Sequence, residues 1–511
     1  MSRPGLVRGF LSVGSWTMVS RVSGFIRDIL MAAWLGTGPV AEAFLIALSL
    51  PNMFRRFFAE GAFNTAFVPM FAKKLEHRTE AQRFAAEAFS GLFMVVLVIS
   101  ALAMIFMPGL VWLMASGFAG DERFALAVEY GRITFPYILL ISMASMVSGV
   151  LNANGRFTTA AAAPVLLNLL FIAAMGLARY RGWDMGLTLA WATPLTGIAQ
   201  LGLVWWDAHR TGWTFLPRRP RLSPDMRRLL AVALPAAFAG GVVQLNLLIG
   251  RQVGSQFEGA IAWLSYSDRL YQLPLGVVGA AVAVVLLPEL ARRLRAGDEA
   301  GGQSAYSRAT EFGLFLTLPA AFAIAVIAVP MVATLFERGQ FTAEDTVQTA
   351  RALVVYALGL PAFVLQKILQ PLYFAREDTR TPFRYALYSM VVNAAVAFGL
   401  MGPMGFLAAA LGTTIAAWVM VGQLWWGTRS MGQAARADDR LRRTAPRIVL
   451  ASALMALALW FIEGWLETAG VARIPGLAVL VIGGAAIYFA LAFLTGAYKL
   501  SELKTAVRRR G

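Results

Sequence analysis

The sequence predicts an all-α polytopic membrane protein of about 14 transmembrane helices, arranged as two parallel six-helix lobes plus two extra C-terminal helices. Three observations predict it. The 511-residue chain is 58% hydrophobic and only 14% charged, whereas an average soluble domain carries about a quarter charged residues. Its apolar runs are continuous over about 20 residues, the length that crosses a bilayer as a helix, and do not alternate as a barrel strand would. Finally, the two halves of the chain share short stretches at a nearly constant offset.

Membrane helices are expected at 9–34, 38–70, 84–116, 124–152, 159–179, 186–208, 228–253, 259–291, 309–336, 346–374, 383–401, 404–428, 447–466 and 474–498. The first apolar run follows Met1–Arg8 with no A-x-A cleavage site, so it reads as a retained span and not a signal peptide. An even number of spans puts both termini on one side. Of the 45 basic residues, only Arg123, Arg179, Arg181, Arg338 and Arg473 fall in loops on the opposite side. Lys and Arg accumulate in cytoplasmic loops, so both termini of a multi-pass membrane protein are expected in the cytoplasm. That bias accounts for the net charge of +17 without any nucleic acid.

The repeat supplies the domain organisation. Phe67–Leu75 matches Leu286–Leu294, Pro51 pairs with Pro274, and Asn168 pairs with Asn393. Six spans per copy is an even number, so the copies enter the membrane in the same orientation, a geometry common among transporters. The expected divisions are an N-terminal lobe at 1–208 and a basic, Pro-rich cytoplasmic linker at 209–227. A C-terminal lobe at 228–428 follows, then the last two spans with their loop and basic tail at 429–511.

Cysteine is absent, and the two histidines, His77 and His209, sit in polar loops. Thiolate chemistry, histidine triads and imidazole metal clusters are thereby excluded, and no cofactor or metal is expected. The informative residues are charges inside spans: Arg21, Arg27, Arg55, Arg56, Arg132, Arg251, Arg269, Arg351 and Lys367. Each such charge facing lipid at mid-bilayer costs about 2.5–3.5 kcal/mol. Arg21, Arg27, Arg55 and Arg269 must therefore face a wet cavity or partners. Arginine does not discharge, but its planar fork holds phosphate well.

On the first span Ser20 and Arg27 share a face, Arg21 and Asp28 an adjacent one, and Gly24 midway is expected to loosen the helix. Pro51 is expected to kink the second span, with Arg55 one turn beyond. Arg56 and Glu60, at i,i+4, read as a structural pair, and Arg132 as a partner of Glu129. Arg251 and Arg351 can snorkel. Glu42 is either a rim residue or part of the cavity. Asp438 and Asp439 resemble half of a magnesium motif but lie among Arg436, Arg440, Arg442 and Arg443, and read as a solvated charge run. The excess of fixed positive charge calls for an anionic substrate, a phosphate or pyrophosphate.

The stretches Ser20–Asp28, Leu50–Phe63, Ser267–Leu270 with Leu273–Val277, and Arg376–Pro382 resemble the lipid II flippase family of bacteria (MurJ, formerly MviN). That family is part of the multidrug/oligosaccharidyl-lipid/polysaccharide exporter superfamily. The resemblance implies a protein that is not an enzyme. It implies movement of undecaprenyl-pyrophosphate-linked muropeptide, lipid II, from the cytoplasmic to the periplasmic leaflet by alternating access. It also implies Arg21, Arg27, Asp28, Arg55 and Arg269 as cavity residues, with Glu42 in the family's acidic position. With Ser20 and Asn168 these complete the candidate substrate-binding set. Expected partners are lipid II and membrane lipids, and the chain is expected to act as a monomer. The last two spans are implied to form a groove for the lipid tail. Gln272 stands where some members carry an acid. The acids that hold sodium in some members are not found here: span 7 offers Asn246 and span 12 no acid.

Three rivals stand against this reading. A flippase for another polyprenyl-linked glycan is disfavoured by the Phe58–Gly61 stretch. A drug/cation antiporter wants a buried acid as its main charge, not four arginines. A polyprenyl-phosphate glycosyltransferase needs a sizeable external loop bearing acid or histidine chemistry, and none is present.

Overall fold

The computed structural model describes residues 3–55, 62–215 and 222–497. Arg56, Glu60 and the stretch 58–61 fall outside these, and so does the centre of the linker. Among the described residues the secondary structure is helical throughout. The first compact unit comprises Met1–Ala262 with Arg338–Phe341, the second Trp263–Glu337 with Thr342–Gly511.

The first unit holds α1 (Arg3–Leu35), α2 (Pro39–Arg55), α3 (Ala62–Lys74), α4 (Arg78–Ile105), α5 (Met107–Met114), α6 (Glu122–Thr134), α7 (Tyr137–Ala153), α8 (Thr158–Arg181), α9 (Met185–Arg210) and α10 (Pro224–Ser255). The second holds most of α11 (Ala260–Arg295), then α12 (Glu299–Phe336), α13 (Ala343–Phe374), α14 (Arg380–Gly399), α15 (Met401–Met404), α16 (Leu407–Gly427), α17 (Asp439–Thr468) and α18 (Arg473–Leu494). Each expected span coincides with one helix or with two in series. Among the described residues nine stretches are long and apolar enough to cross a membrane. Contacts place α10 in the first unit, although the repeat assigns it to the second copy. The lobe boundaries at 208 and 228 remain a proposal drawn from the sequence.

Helix ends follow local chemistry. Asp184 caps α9 by accepting the Leu187 N–H at 2.6 Å, after Gly182 at φ +67° closes α8. Only a residue without a Cβ takes that backbone cheaply. Ser223 with Pro224 opens α10. Thr342 and Asp345 form a reciprocal capping box on α13.

Prolines inside helices free a carbonyl one turn back, and two of these carbonyls recruit a neighbour. Pro51 frees the Ala47 carbonyl, which accepts from Thr134 Oγ1 of α6 at 3.2 Å. Helix α2 runs on through Pro51 to Arg55. Pro319 frees the Phe315 carbonyl of α12, which accepts from Tyr488 OH of α18 at 2.8 Å. The breaks in the backbone ladder thus become the points where helices lock.

Packing pairs recur in the two units. In the first, α4 packs on α7, α7 on α9, and α8 on α9; in the second, α12 packs on α13, α13 on α16, and α14 on α16. Asn168 of α8 and Asn393 of α14 are both buried. The last two helices pack on α12 through Phe315, Ile448, Met455, Leu459 and Tyr488, yet Leu494 of α18 remains 81% exposed. Such apolar exposure is costly in water and natural in lipid.

The Asp438 region differs from its expectation as a solvated charge run. Asp438 accepts the Leu441 N–H at 2.7 Å, capping α17, and pairs with Arg308 of α12 at 2.6 Å. Arg308 also pairs with Glu311, which holds Arg440 at 2.9 Å. Asp438→Ala is expected to lower stability by about 1 kcal/mol through the lost cap, read as a lower thermal unfolding midpoint in detergent. Asp438→Asn, which still caps, should recover most of that loss.

Candidate functional site

The site is built on α1. Its helix is continuous from Arg3 to Leu35, so Gly24 does not interrupt it. Gly24 instead permits close approach: a Cβ there would lie 3.3 Å from Asn168 Nδ2 of α8. That approach lets Asn168 bridge two turns of α1. Its Nδ2 donates to the Ser20 carbonyl at 2.9 Å and to Ser23 Oγ at 3.2 Å. Its Oδ1 accepts from Arg27 Nη1 at 2.9 Å. Ser20 and Arg27 share a face, as their spacing of seven predicts, and Asn168 is the reason that this matters.

Arg27 turns its Nε–Nη2 edge to its neighbour, so that three of its five N–H groups are engaged and one remains on each of Nη1 and Nη2. Its Nε and Nη2 donate to Asp28 Oδ1 at 3.0 and 2.6 Å, and its guanidinium lies 5.9 Å from the centre of the Phe171 ring. The Arg27 side chain is 13% exposed and that of Asp28 is 7%. A guanidinium so enclosed needs both the carboxylate and the amide oxygen, because an unpaired charge there would lose its hydration with nothing in return. Its donors are held in a fixed direction, the condition for reading a planar or forked anion.

Ser20, Arg27, Asp28 and Asn168 are the candidates that these bonds bring together. Arg21 is exposed on α1, and Arg55 ends α2 half-buried. Arg269 lies in the second unit, exposed on α11, beside Asp268, which accepts a hydrogen bond from Gln272. Glu42, left open between rim and cavity, is 1% exposed and fully engaged. It accepts from Arg123 Nη1 at 2.9 Å and from the Ile261 N–H at 2.9 Å. Arg123 also pairs with Asp121 at 2.6 Å and lies 4.4 Å from the centre of the Phe118 ring. The sequence placed Arg123 in an external loop; no local pattern announces a partner 81 positions away. Ser23 and Phe171 were also missed, since neither differs from ordinary helix packing until α1 and α8 are brought together.

Arg132 was expected to pair with Glu129; its Nε donates instead to the Met104 carbonyl at 3.2 Å. In the Arg376–Pro382 stretch, Asp378 accepts the Thr381 N–H at 2.9 Å, opening α14. That backbone donor holds the Asp378 carboxyl below the usual carboxylate range. Arg376 ties the same turn to the Met431 carbonyl at 2.7 Å.

A helical, lipid-faced chain with guanidinium groups inside its spans and one of them held by a fixed polar frame defines a polytopic membrane protein of the transporter class. A family model described as Lipid II flippase MurJ matches residues 31–477. A relative named "Probable lipid II flippase MurJ" from Rhizobium meliloti (strain 1021) is 46% identical over 99% of this chain and 96% of its own length. The "Lipid II flippase MurJ" of Burkholderia cenocepacia is 33% identical over 96% of this chain and 98% of its own. The chain belongs to the lipid II flippase MurJ family. In fold it is similar to a solved lipid II flippase MurJ in an inward closed conformation, with TM-score 0.78 and 24% identity over 94% of this chain and 97% of that one. An inward-facing multidrug resistance MATE family transporter of the MOP superfamily shares the fold more distantly, with TM-score 0.69 and 15% identity over 83% of this chain and 98% of that one.

The Glu42–Arg123 pair can be separated from any role in binding. Glu42→Ala leaves Arg123 with Asp121 alone and the buried Ile261 N–H without its acceptor, and is expected to cost about 2 kcal/mol. The measurement is thermal unfolding of the purified chain. Glu42→Gln, which keeps an acceptor for Arg123, should be much milder. Equal stability of the alanine variant and the native chain would mean that Glu42 has no such structural part.

Proposed function

We infer that this chain is a lipid II flippase: it carries the undecaprenyl-pyrophosphate-linked peptidoglycan precursor across the inner membrane for cell wall synthesis. The family membership supports the cargo, and one observation about the molecule supports the mechanism. Arg27 is held in a fixed orientation by Asp28 and Asn168 within a membrane-spanning helix pair. The N–H left on each of Nη1 and Nη2 points in a fixed direction and suits a pyrophosphate, whose oxygens accept paired N–H donors.

Arg21, Arg27, Asp28, Arg55, Arg269, Ser20 and Asn168 form the proposed substrate-binding set, and Glu42 contributes by fixing the frame on which α2 stands. The cargo leaves chemically unchanged, moved by alternating access of the two repeat copies with both termini in the cytoplasm. An arginine cannot release its proton at physiological pH, so these groups grip the substrate and do not relay protons.

The test is complementation of a bacterial strain depleted of its own lipid II flippase. The native chain should restore growth. Arg27→Ala and Arg55→Ala should abolish rescue at unchanged membrane levels. Normal growth of both variants would overturn the assigned grip. Arg269→Lys should rescue in part, because lysine keeps the charge and loses the fork. Full rescue by that variant would mean that cavity charge alone suffices.

A further inference from the structure

A second basic–aromatic feature occurs once in each repeat copy, away from the proposed substrate-binding residues. Near the end of α9 the chain reads Gly202-Leu203-Val204-Trp205-Trp206, with Arg210 four residues on; near the end of α16 it reads Gly422-Gln423-Leu424-Trp425-Trp426, with Arg429 three residues on. The separation of 220 positions lies within the spread of the other repeat matches.

In both places the arginine is laid on indole. The Arg210 guanidinium is 4.8 Å from the Trp206 ring centre, and that of Arg429 is 4.6 and 4.0 Å from the Trp425 and Trp426 rings. The stacked rings Trp206, Trp425 and Trp426 are all more than half exposed. Among the described residues neither guanidinium makes a hydrogen bond or ion pair; Asp207, within electrostatic reach of Arg210, is itself paired with Arg156, so both guanidinium groups keep their N–H donors available while the rings fix their position.

The glycines add an independent observation. Gly202 and Gly422 each lie one turn before an exposed indole, and a Cβ at either would meet nothing within 4 Å. Glycine inside a helix costs about 1 kcal/mol relative to alanine, and nothing within the chain requires it here. Each therefore opens a notch on the exposed helix face just below the Trp–Arg head.

We propose that Arg210 with Trp206 and Arg429 with Trp425 and Trp426 are two repeat-equivalent sites for an anionic glycerophospholipid. The phosphate accepts from the arginine, the indoles lie at headgroup level, and an acyl chain runs over the notch at Gly202 or Gly422. Tryptophan is at home at that depth. The anionic leaflet surface lies on the side where Lys and Arg gather, and anionic lipids are drawn to such basic positions. The site rests on the reading of α9 and α16 as membrane spans and is independent of the cargo.

The experiment is native mass spectrometry of the full-length chain, delipidated in detergent and titrated with phosphatidylglycerol, phosphatidylcholine or inorganic phosphate. The native chain should take up two phosphatidylglycerol molecules in preference to phosphatidylcholine, and millimolar inorganic phosphate should not displace them. Arg210→Gln and Arg429→Gln should each weaken one of the two events about tenfold, and the double variant should lose both. Arg429→Lys should retain part of its event. Gly202→Leu with Gly422→Leu, which fills the notches and spares every charge, should weaken both and carries the test if the glutamine variants do not purify folded. Unchanged phosphatidylglycerol uptake in the double glutamine or the double leucine variant would overturn the proposal. So would displacement by inorganic phosphate, which would make these free-anion sites.

Discussion

The cost of keeping a guanidinium inside a membrane-spanning segment is the constraint on which the rest of this molecule depends. An arginine cannot shed its charge to relieve that cost, so the fold must surround it with oxygen. Around Arg27 the oxygens come from the adjacent carboxylate of Asp28 and from Asn168 of α8. Gly24, with no side chain, leaves that approach unhindered, since a Cβ there would press on Asn168 Nδ2 at 3.3 Å. One charge thus draws an amide from the next helix past a glycine on its own, and joins α1 to α8 through polar bonds that lipid cannot weaken by competition. The same rule governs buried Glu42, whose carboxylate is held by Arg123, a guanidinium that Asp121 also pairs.

Backbone groups obey the same economy. In lipid an unsatisfied carbonyl has no water to turn to. The carbonyls freed by Pro51 and Pro319 are taken up by hydroxyls from other helices, Thr134 and Tyr488. The second of these fastens α18 to α12 and so ties the appended helices to the second unit. Proline here marks a junction between helices as much as an irregularity within one.

The fold class was legible because hydropathy acts over about 20 residues at a time, long enough to average out local noise. The helix positions followed, and so did the pairing of Ser20 with Arg27 on one face, since helical period fixes it. What stayed hidden was contact between distant residues. Glu42 could be narrowed only to rim or cavity, because its partner Arg123 looked like any loop arginine. Asp438 read as a solvated charge because the sequence does not show that α17 begins there or that Arg308 approaches it. Gly24 was taken for a weak point in α1, whereas it serves the neighbouring helix. In each case the type of residue was informative and its use depended on the tertiary neighbour.

The account turns on Arg27 as a pre-aimed grip for the phosphates of the cargo. Its most direct test is equilibrium binding of lipid II to the purified chain, comparing the native protein with Arg27→Ala. The account predicts an affinity at least about tenfold weaker in the variant, the loss expected for charge-assisted paired hydrogen bonds. An unchanged affinity in a correctly folded Arg27→Ala chain would contradict it.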